Sequence, residues 1–218
     1  MKIAVCGAAG KTGKAVADYL ENNWEVLRVD PKLETFLEEV IEEVVCVVDF
    51  TTPEAVVENL KICLEHGKNM VIGTTGWDLN ILNKIQLKPN QAIFVAPNFS
   101  IGANLMMYFS KVAARFFKDW HIVEAHHKAK KDKPSGTAKF TSKLIAGDVV
   151  NEKISSIRSD GLIAHQSVIF SHEGEVLEIT HHSLSRSSFA YGVELAIKWC
   201  LENSGVEIGL HKLLGLDM

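Results

Sequence analysis

Hydrophobic positions in the first half of the chain alternate between short apolar runs and segments with helical spacing. Lys2–Cys6 is one such run, and a second, Trp24–Val29, ends at Asp30. Between these two runs, apolar residues recur at the three- and four-residue intervals of an amphipathic helix. Val44–Phe50 is almost continuously apolar, which is typical of a parallel strand buried on both faces. The alternation predicts an α/β fold with a doubly wound parallel sheet.

The alternation continues towards residue 100. Thr52 and Pro53 predict the start of a helix, as an N-cap and a proline at the first helical position, and Gly67 predicts its end. Further strands are predicted at Asn69–Ile72 and Ala92–Ala96. Because ligands of open α/β sheets bind beyond the carboxyl ends of the strands, we expect the loops that follow these two strands beside a bound ligand.

The pattern changes in the second half of the chain. Spacing predicts a long helix from Ile101 to Phe116, one further helix near residues 137–145, and a final amphipathic helix over residues 189–201. The predicted strands between them are Trp120–Ala125, Lys153–Ile157, His165–Phe170 and Val176–His181. Strands grouped in this way indicate a mixed or antiparallel sheet in a second, smaller α+β domain.

Composition narrows the possible functions. The 218 residues are 47% hydrophobic and carry a net charge of −4, which argues against general affinity for nucleic acid. No apolar run is long enough to cross a bilayer, and Met1–Gly7 reads as a strand and turn without a signal peptide, so we expect a cytoplasmic protein without a membrane partner. The four cysteines are widely spaced, so we predict buried, reduced thiols and no metal site.

A glycine-rich turn follows the first strand directly. The glycines at 7, 10 and 13 have the spacing G-x-x-G-x-x-G, a variant of the dinucleotide-binding pattern. Gly7 permits a tight turn, Gly10 lets the backbone approach a pyrophosphate, and Gly13 lets the helix pack closely on the strand. Asp30, 17 residues after Gly13, would accept hydrogen bonds from the adenosine ribose. The turn therefore predicts a Rossmann-like domain that binds a dinucleotide.

The densest group of chemically active residues lies between Glu124 and Thr137. If the strand that ends near residue 125 continues, His126 and His127 point to opposite sides and do not chelate one metal. The segment also holds four lysines, at positions 128, 130, 131 and 133. Hydride that reaches an unsaturated carbon leaves an electron-rich centre that needs a proton, and His126 or Lys130 can supply it.

The same segment ends in Pro134–Thr137, which predicts the entrance to a helix. Free N–H groups at Gly136 and Thr137, the positive end of the helix dipole and the Thr137 hydroxyl would together hold a carboxylate. Lys130 would add a positive charge. A dinucleotide loop and a carboxylate site in one chain predict a nucleotide-dependent enzyme that acts on a carboxylate.

The combination of Glu124–Thr137 with the glycine loop resembles the dihydrodipicolinate reductase family, also called 4-hydroxy-tetrahydrodipicolinate reductase. The resemblance spans nearly the whole chain. It continues through Asp49–Glu54, His66–Lys68, Val71–Gly76, Asn98–Gly102, Glu178–His181 and Ser185–Gly192.

The resemblance implies reduction of a cyclic dicarboxylate with NADH or NADPH, in the diaminopimelate route to lysine. It implies that His126 is a proton donor or acceptor, that Lys130 is a second donor, and that His127, Gly136 and Thr137 contact the substrate. The implied cofactor contacts are Gly7, Ala8, Ala9, Gly10, Lys11, Thr12, Asp30, Gly73, Thr74, Thr75, Ala96, Pro97, Asn98 and Phe99.

The resemblance also implies the domain boundaries and the assembly. Residues 1–98 and 191–218 form the dinucleotide-binding domain, with the last helix packed back on it, and residues 99–190 form the substrate-binding and oligomerisation domain. The protein is expected to be a homotetramer joined through the sheets of the second domain.

Three questions stay open at this point. Asp30 followed by Pro31 favours NADH over NADPH, although Lys32 offers a cation that can meet a 2′-phosphate. Another dehydrogenase of Rossmann type, acting on an alcohol or a semialdehyde, would keep the glycine loop but leave the residues from His126 onward unexplained. A non-catalytic nucleotide sensor would be expected to lack His126 or Lys130, and both are present.

Overall fold

The structure, a computed structural model, describes all residues from Met1 to Met218. The chain forms two compact units. The first contains residues 1–100 and 186–214, and the second contains residues 101–185 and 215–218. These boundaries differ by a few residues from the predicted ones, and the last four residues belong to the second unit instead of the first.

Ten strands and seven α-helices follow one another along the chain. The strands are β1 Lys2–Cys6, β2 Glu25–Val29, β3 Cys46–Asp49, β4 Asn69–Ile72, β5 Ala92–Val95, β6 Asp119–His126, β7 Ile154–Arg158, β8 Ala164–His172, β9 Glu175–Ser183 and β10 Gly205–Ile208. The helices are α1 Lys11–Leu20, α2 Leu37–Val40, α3 Pro53–His66, α4 Ile101–Ala113, α5 Gly136–Ala146, α6 Ala190–Glu202 and α7 Leu210–Leu213.

The first unit is built on a six-stranded parallel sheet with the order β10-β5-β4-β3-β1-β2. Helix α3 packs on one face through Val56, Leu60 and Cys63. Helix α6 packs on the sheet at β3, β4 and β5 and also contacts α1. All four residues of β3 are buried, as expected for a central strand covered on both faces. The predicted doubly wound sheet is confirmed.

The bounds of α3 are those that the sequence predicts. The Thr52 hydroxyl accepts a hydrogen bond from the Ala55 N–H at 3.3 Å, and Pro53 occupies the first helical position. Gly67 ends the helix with a φ of 63°, a left-handed conformation that glycine adopts without strain. The N-cap at Thr52 and the C-cap at Gly67 thus fix where the loops on either side of α3 begin.

The second unit is built on a four-stranded sheet with the order β7-β6-β8-β9. The β6–β7 pair is parallel and the other two pairs are antiparallel, so the predicted mixed sheet is confirmed. One face forms a core with α4 and α5, centred on Trp120, Ile122, Val168 and Phe170. The opposite face exposes Ile157, at 48%, and Val176, at 68%.

Two features differ from the sequence prediction. Helix α4 ends at Ala113, three residues before Phe116, which lies exposed in the turn that follows. Phe117, just after this turn, packs against the sheet core, with its ring centroid 5.9 Å from that of Phe170. Strand β10 was not predicted. It is a short edge strand with half-exposed residues, so its apolar pattern is weak.

The four cysteines are free thiols and all are buried, as predicted. Burial raises the pKa of the Cys63 thiol well above its ordinary value, with a further contribution from the charge of Asp49. No helix combines the length and the apolar character that a membrane span requires.

Candidate active site

The glycine turn after β1 is closed by contacts that only glycine permits. Gly7 has a φ of 78°, and a Cβ atom there would lie 2.3 Å from the carbonyl oxygen of Phe50. A Cβ atom on Gly13 would lie 2.2 Å from the Gly7 carbonyl oxygen. The first turn of α1 therefore packs directly on the end of β1, as the predicted role of Gly13 requires.

The N-terminus of α1 and the end of β2 together form a candidate binding site for a dinucleotide. Gly10 is the N-cap of α1, and no side chain caps the helix, so its first N–H groups remain available to a phosphate. The Asp30 carboxylate accepts hydrogen bonds from the backbone N–H groups of Ala9, at 3.1 Å, and Lys32, at 3.0 Å. Each carboxylate oxygen retains a lone pair for a ribose hydroxyl. The residues present fit a dinucleotide cofactor.

A buried carboxylate joins the loops after β3 and β4. Asp49 is 0% exposed and accepts hydrogen bonds from the Thr51 hydroxyl at 2.7 Å, the Thr74 hydroxyl at 2.6 Å and the Asn59 amide at 2.7 Å. The Thr74 hydroxyl also accepts from the Thr51 N–H, at 2.7 Å. The side chain of Thr74 thus holds its loop in place, and the sequence did not predict this role for Asp49.

The predicted cofactor contacts differ in their exposure. Gly73 lies against the ring of Phe50, because a Cβ atom there would be 2.2 Å from the ring edge. Ala9, Gly10, Lys11, Thr75 and Pro97 are exposed, and Gly7, Thr12, Asp30, Gly73 and Asn98 are half-buried. Ala8, Thr74, Ala96 and Phe99 are buried. The side chains of these last four support the loops at the carboxyl edge of the sheet.

In the second unit, β6 carries His126 at its carboxyl end with Glu124 on the same face. Nδ1 of His126 lies 2.5 Å from Oε2 of Glu124. Arg158, on the neighbouring strand β7, donates to both oxygens of the same carboxylate, at 2.9 and 2.8 Å. Glu124 is 0% exposed, while the side chain of His126 is 13% exposed. His126, the candidate proton donor, is therefore hydrogen-bonded to the buried Glu124 carboxylate, of which both oxygens accept hydrogen bonds.

The electrostatics of Glu124 follow from these contacts. Burial alone would raise the pKa of its carboxyl group, but the hydrogen bonds from His126 and Arg158 outweigh burial and lower the pKa to about 2. Glu124 is therefore ionised throughout the physiological range, and an ionised carboxylate can only accept hydrogen bonds.

Helix α5 begins where the sequence predicts. The Ser135 hydroxyl accepts from the Ala138 N–H at 3.2 Å as the N-cap. The Ser135 N–H points to Oε1 of Glu124, at 3.3 Å, so the same carboxylate that holds His126 also holds the start of α5. Gly136 and Thr137 form the first turn, and a Cβ atom on Gly136 would meet nothing within 4 Å. Their surroundings leave room for a ligand.

Lys130 lies in the loop between β6 and α5. Its ammonium group is 2.8 Å from Oδ1 of Asp132. Burial works against ionisation of Asp132, but hydrogen bonding by Lys130 and by the Gly136 backbone helps to lower the pKa of Asp132. His127 lies just beyond β6, and its carbonyl oxygen accepts from the Lys130 N–H at 3.1 Å. The two histidines therefore differ in setting, with His126 in the strand and His127 in the loop.

Comparison with known proteins identifies the family. The model of the dihydrodipicolinate reductase C-terminus matches residues 102–214, and that of the N-terminus matches residues 25–99. The chain is similar to 4-hydroxy-tetrahydrodipicolinate reductase from Nocardia farcinica, at 40% identity over 99% of each chain. It is 39% identical to the protein of the same name from Mycobacterium marinum, over 100% of both. The chain belongs to the dihydrodipicolinate reductase family. It is thus a member of a family of oxidoreductases that use NAD(P)H.

Solved structures agree with this assignment. A dipicolinate-bound dihydrodipicolinate reductase from Paenisporosarcina sp. is 31% identical, with a TM-score of 0.83 over 97% of this chain and 98% of that one. An amine dehydrogenase from Mycobacterium smegmatis has a TM-score of 0.63 at 12% identity, over 100% of this chain and 96% of that one. The second likeness concerns the fold alone.

Two residues of the second site were not assigned a role from the sequence. Glu124 could have been found, because in a strand it shares the face of His126, two residues away. Arg158 could not, since its contact with Glu124 depends on the pairing of β6 with β7, which places Arg158 opposite His126. Strand register of this kind is not readable from one strand alone.

Proposed function

We propose that this chain reduces 4-hydroxy-tetrahydrodipicolinate to tetrahydrodipicolinate in the diaminopimelate route to lysine. The observation that carries the proposal is the assembly of His126 and the N-terminus of α5 around Glu124, in a chain whose other unit presents a dinucleotide-type glycine turn. In the balanced reaction the substrate gains a hydride and a proton and loses its hydroxyl group as water.

Different residues of the second unit bind the substrate and transfer the proton. The first-turn N–H groups at Gly136 and Thr137 bind one substrate carboxylate, and Lys130 contributes its positive charge. This carboxylate takes the place of Asp132, the present partner of both Lys130 and the Gly136 backbone. His127 contacts the same dicarboxylate. His126 delivers the proton through the ring nitrogen that Glu124 does not hold, with Lys130 as a second source.

The residues of the first unit hold the cofactor. The N-terminus of α1 faces the pyrophosphate, Asp30 accepts from the ribose, and the loops at 73–75 and 96–99 line the carboxyl edge of the sheet near the nicotinamide. The bound cofactor supplies the hydride.

An assay that follows NADH or NADPH oxidation with freshly generated 4-hydroxy-tetrahydrodipicolinate tests the proposal. We expect oxidation that depends on this substrate and none with a simple alcohol or semialdehyde. If the purified protein binds NADH but oxidises it with none of these compounds, it is a nucleotide sensor. Turnover of the semialdehyde alone would assign it to a different dehydrogenase class.

We further propose that NADH is the preferred coenzyme. The carboxylate of Asp30 stands where the 2′-phosphate of NADPH would lie, and Pro31 offers no guanidinium to offset the repulsion. We expect a higher kcat/KM with NADH, and Asp30→Ala should narrow the difference. Glu38→Ala, which removes an exposed carboxylate from α2, should leave the ratio unchanged. A clear preference for NADPH in the wild-type protein would show that Lys32 or another cation outweighs Asp30.

The proposed assembly is a homotetramer joined through the open face of the second unit's sheet. Pairing places Ile157, Ala125, His165 and His182 side by side on the face opposite the core. This face also exposes Ile157 and Val176, and the proposed contact between subunits would bury apolar area there. The proposed location is the cytoplasm, in keeping with four free, buried thiols.

A further inference from the structure

Glu124 is an ionised side chain in a place where an ionised side chain is costly. It is 0% exposed, and removing a carboxylate from water is unfavourable unless charged or polar donors replace the water. Donors from four residues do so here. They are Nδ1 of His126 at 2.5 Å, the two terminal nitrogens of Arg158 at 2.9 and 2.8 Å, the Ser135 N–H at 3.3 Å and the Ser156 hydroxyl.

The contact with His126 fixes the proton on one ring nitrogen. Because an ionised carboxylate can only accept, Nδ1 of His126 must be the donor of their hydrogen bond. Nε2 is then the nitrogen left to exchange a proton with a ligand. A carboxylate that accepts from one ring nitrogen sets both the tautomer and the orientation of an imidazole.

Arg158 fixes the orientation of the Glu124 carboxylate. Its two-pronged contact orients the plane of the Glu124 carboxylate, and one of its nitrogens also donates to the carbonyl oxygen of Asp132, at 2.7 Å. Asp132 is in turn the ion-pair partner of Lys130. The guanidinium therefore ties the strand that carries His126 to the loop that carries Lys130.

We propose that Glu124, held by Arg158, is the positioning residue of the proton-transfer site. It holds a proton on Nδ1 of His126, so that Nε2 is the nitrogen that exchanges the proton of the reaction, and it fixes the start of α5 beside this ring. The proposal rests on the proposed function for the role of His126. Glu124 touches neither substrate nor cofactor in this account, and its effect reaches the reaction through His126.

Glu124→Gln is the informative variant, because it keeps the size of the side chain and removes its charge. We expect kcat to fall by about 10- to 100-fold, a part of the ~10²–10⁴-fold that proton transfer by a side chain contributes, with a smaller change in KM. Glu152→Gln, at an exposed position of the same unit, is the matched control and should retain wild-type kinetics.

A double variant separates positioning from general support of the fold. In a His126→Gln background, Glu124→Gln should lower kcat little further, because the group through which it acts is already absent. A structural role would instead give the same fold-loss in both backgrounds. An equal loss in the two backgrounds would overturn the proposal.

Nitrogen-15 NMR of the histidine rings reads the tautomer without turnover. Protein labelled in its histidines is compared with the His126→Gln variant to assign the His126 signals. We expect Nδ1 of His126 to be protonated in the wild type and the two tautomers to be mixed in Glu124→Gln. Identical His126 signals in the two proteins would overturn the proposal. Because this measurement needs no activity, it decides the role of Glu124 even if the proposed reaction fails.

If Glu124→Gln leaves Arg158 unpaired and the protein unfolds, Arg158→Lys provides the second test. It keeps the positive charge but loses the two-pronged geometry. We expect a smaller loss of kcat than in Glu124→Gln and a detectable population of the second His126 tautomer. An unchanged tautomer together with unchanged kcat would contradict the role given to Arg158.

Discussion

Two side chains in the second unit are candidates for the same proton, and their surroundings separate them. His126 is 13% exposed in its side chain and is held by a buried carboxylate, whereas Lys130 is 24% exposed and pairs with the more exposed Asp132. A fixed imidazole suits proton transfer, because the reaction requires a defined donor geometry. A flexible ammonium suits charge neutralisation of a substrate carboxylate.

We therefore expect different kinetic effects from the two substitutions. His126→Gln should lower kcat by ~10²–10⁴-fold with little change in KM, because it removes proton transfer. Lys130→Ala should raise KM as well as lower kcat, because it also removes the charge that we propose binds a substrate carboxylate. Steady-state kinetics with varied substrate at saturating NADH separate the two effects. Wild-type kinetics in His126→Gln would contradict the assignment, and an unchanged KM in Lys130→Ala would remove that residue from the binding site.

At this scale the sequence predicts residue types better than their partners. The spacing of His126, Lys130 and Gly136 is sufficient to suggest proton donors beside an anion site. The sequence does not reveal that Lys130 forms an ion pair with Asp132, or that the Thr74 hydroxyl donates to Asp49. Both contacts depend on the conformation of the loops. Contacts between loop side chains are determined by the tertiary structure, and the pattern of residues along the sequence carries little information about them.

Among the elements, α6 packs tightly against a predicted cofactor loop. A Cβ atom on Gly192 would lie 2.0 Å from the carbonyl oxygen of Phe99, at the end of the loop that follows β5. The contact joins α6, which packs on β3, β4 and β5, to that loop. The loop position thus depends on the absence of a side chain at residue 192.

Gly192→Ala should disturb this contact. We expect the free energy of unfolding to fall by roughly 1–3 kcal/mol, as for other overpacking substitutions, and the affinity for NADH to fall because the loop at 96–99 must move. Gly136→Ala is the matched control for stability, because a Cβ atom there meets nothing within 4 Å and its unfolding midpoint should stay near that of the wild type. Thermal unfolding and NADH titration measure the two effects. Equal midpoints for both variants would show that the helix and the loop adjust without cost.

Element prediction succeeds where local signals are strong. The N-cap and the glycine end of α3 were readable because capping is a property of a few adjacent residues. Strand β10 was missed because an edge strand needs little apolar character, and its pairing partner, β5, lies more than a hundred residues away. The predicted end of α4 was wrong because Phe116, which lies in the turn after the helix, continues the helical spacing of apolar residues in the sequence.

At the scale of the whole molecule, the chain forms two compact units, to which the proposed function assigns the cofactor and the substrate respectively. The first unit buries its sheet on both faces, but the sheet of the second unit has helices on one face only. The sequence predicts this difference, since strands and helices alternate in its first half while strands are grouped in its second half. A parallel sheet needs crossover helices between its strands, and an antiparallel sheet does not. In the proposed tetramer this open face is the contact between subunits.

The proposed tetramer gives a definite prediction for that face. Ile157 is 48% exposed there, and its burial between subunits would contribute favourable apolar contact. Light scattering should give four times the mass of one chain for the wild type. Ile157→Lys should yield smaller species, because a buried, unpaired ammonium group is unfavourable at an interface. Phe116→Lys, which adds the same charge at a residue that is 75% exposed and lies in the turn after α4, is the control and should remain tetrameric. A wild-type protein with the mass of a single chain would contradict the proposed assembly, and a tetrameric Ile157→Lys variant would place the contact between subunits on another surface.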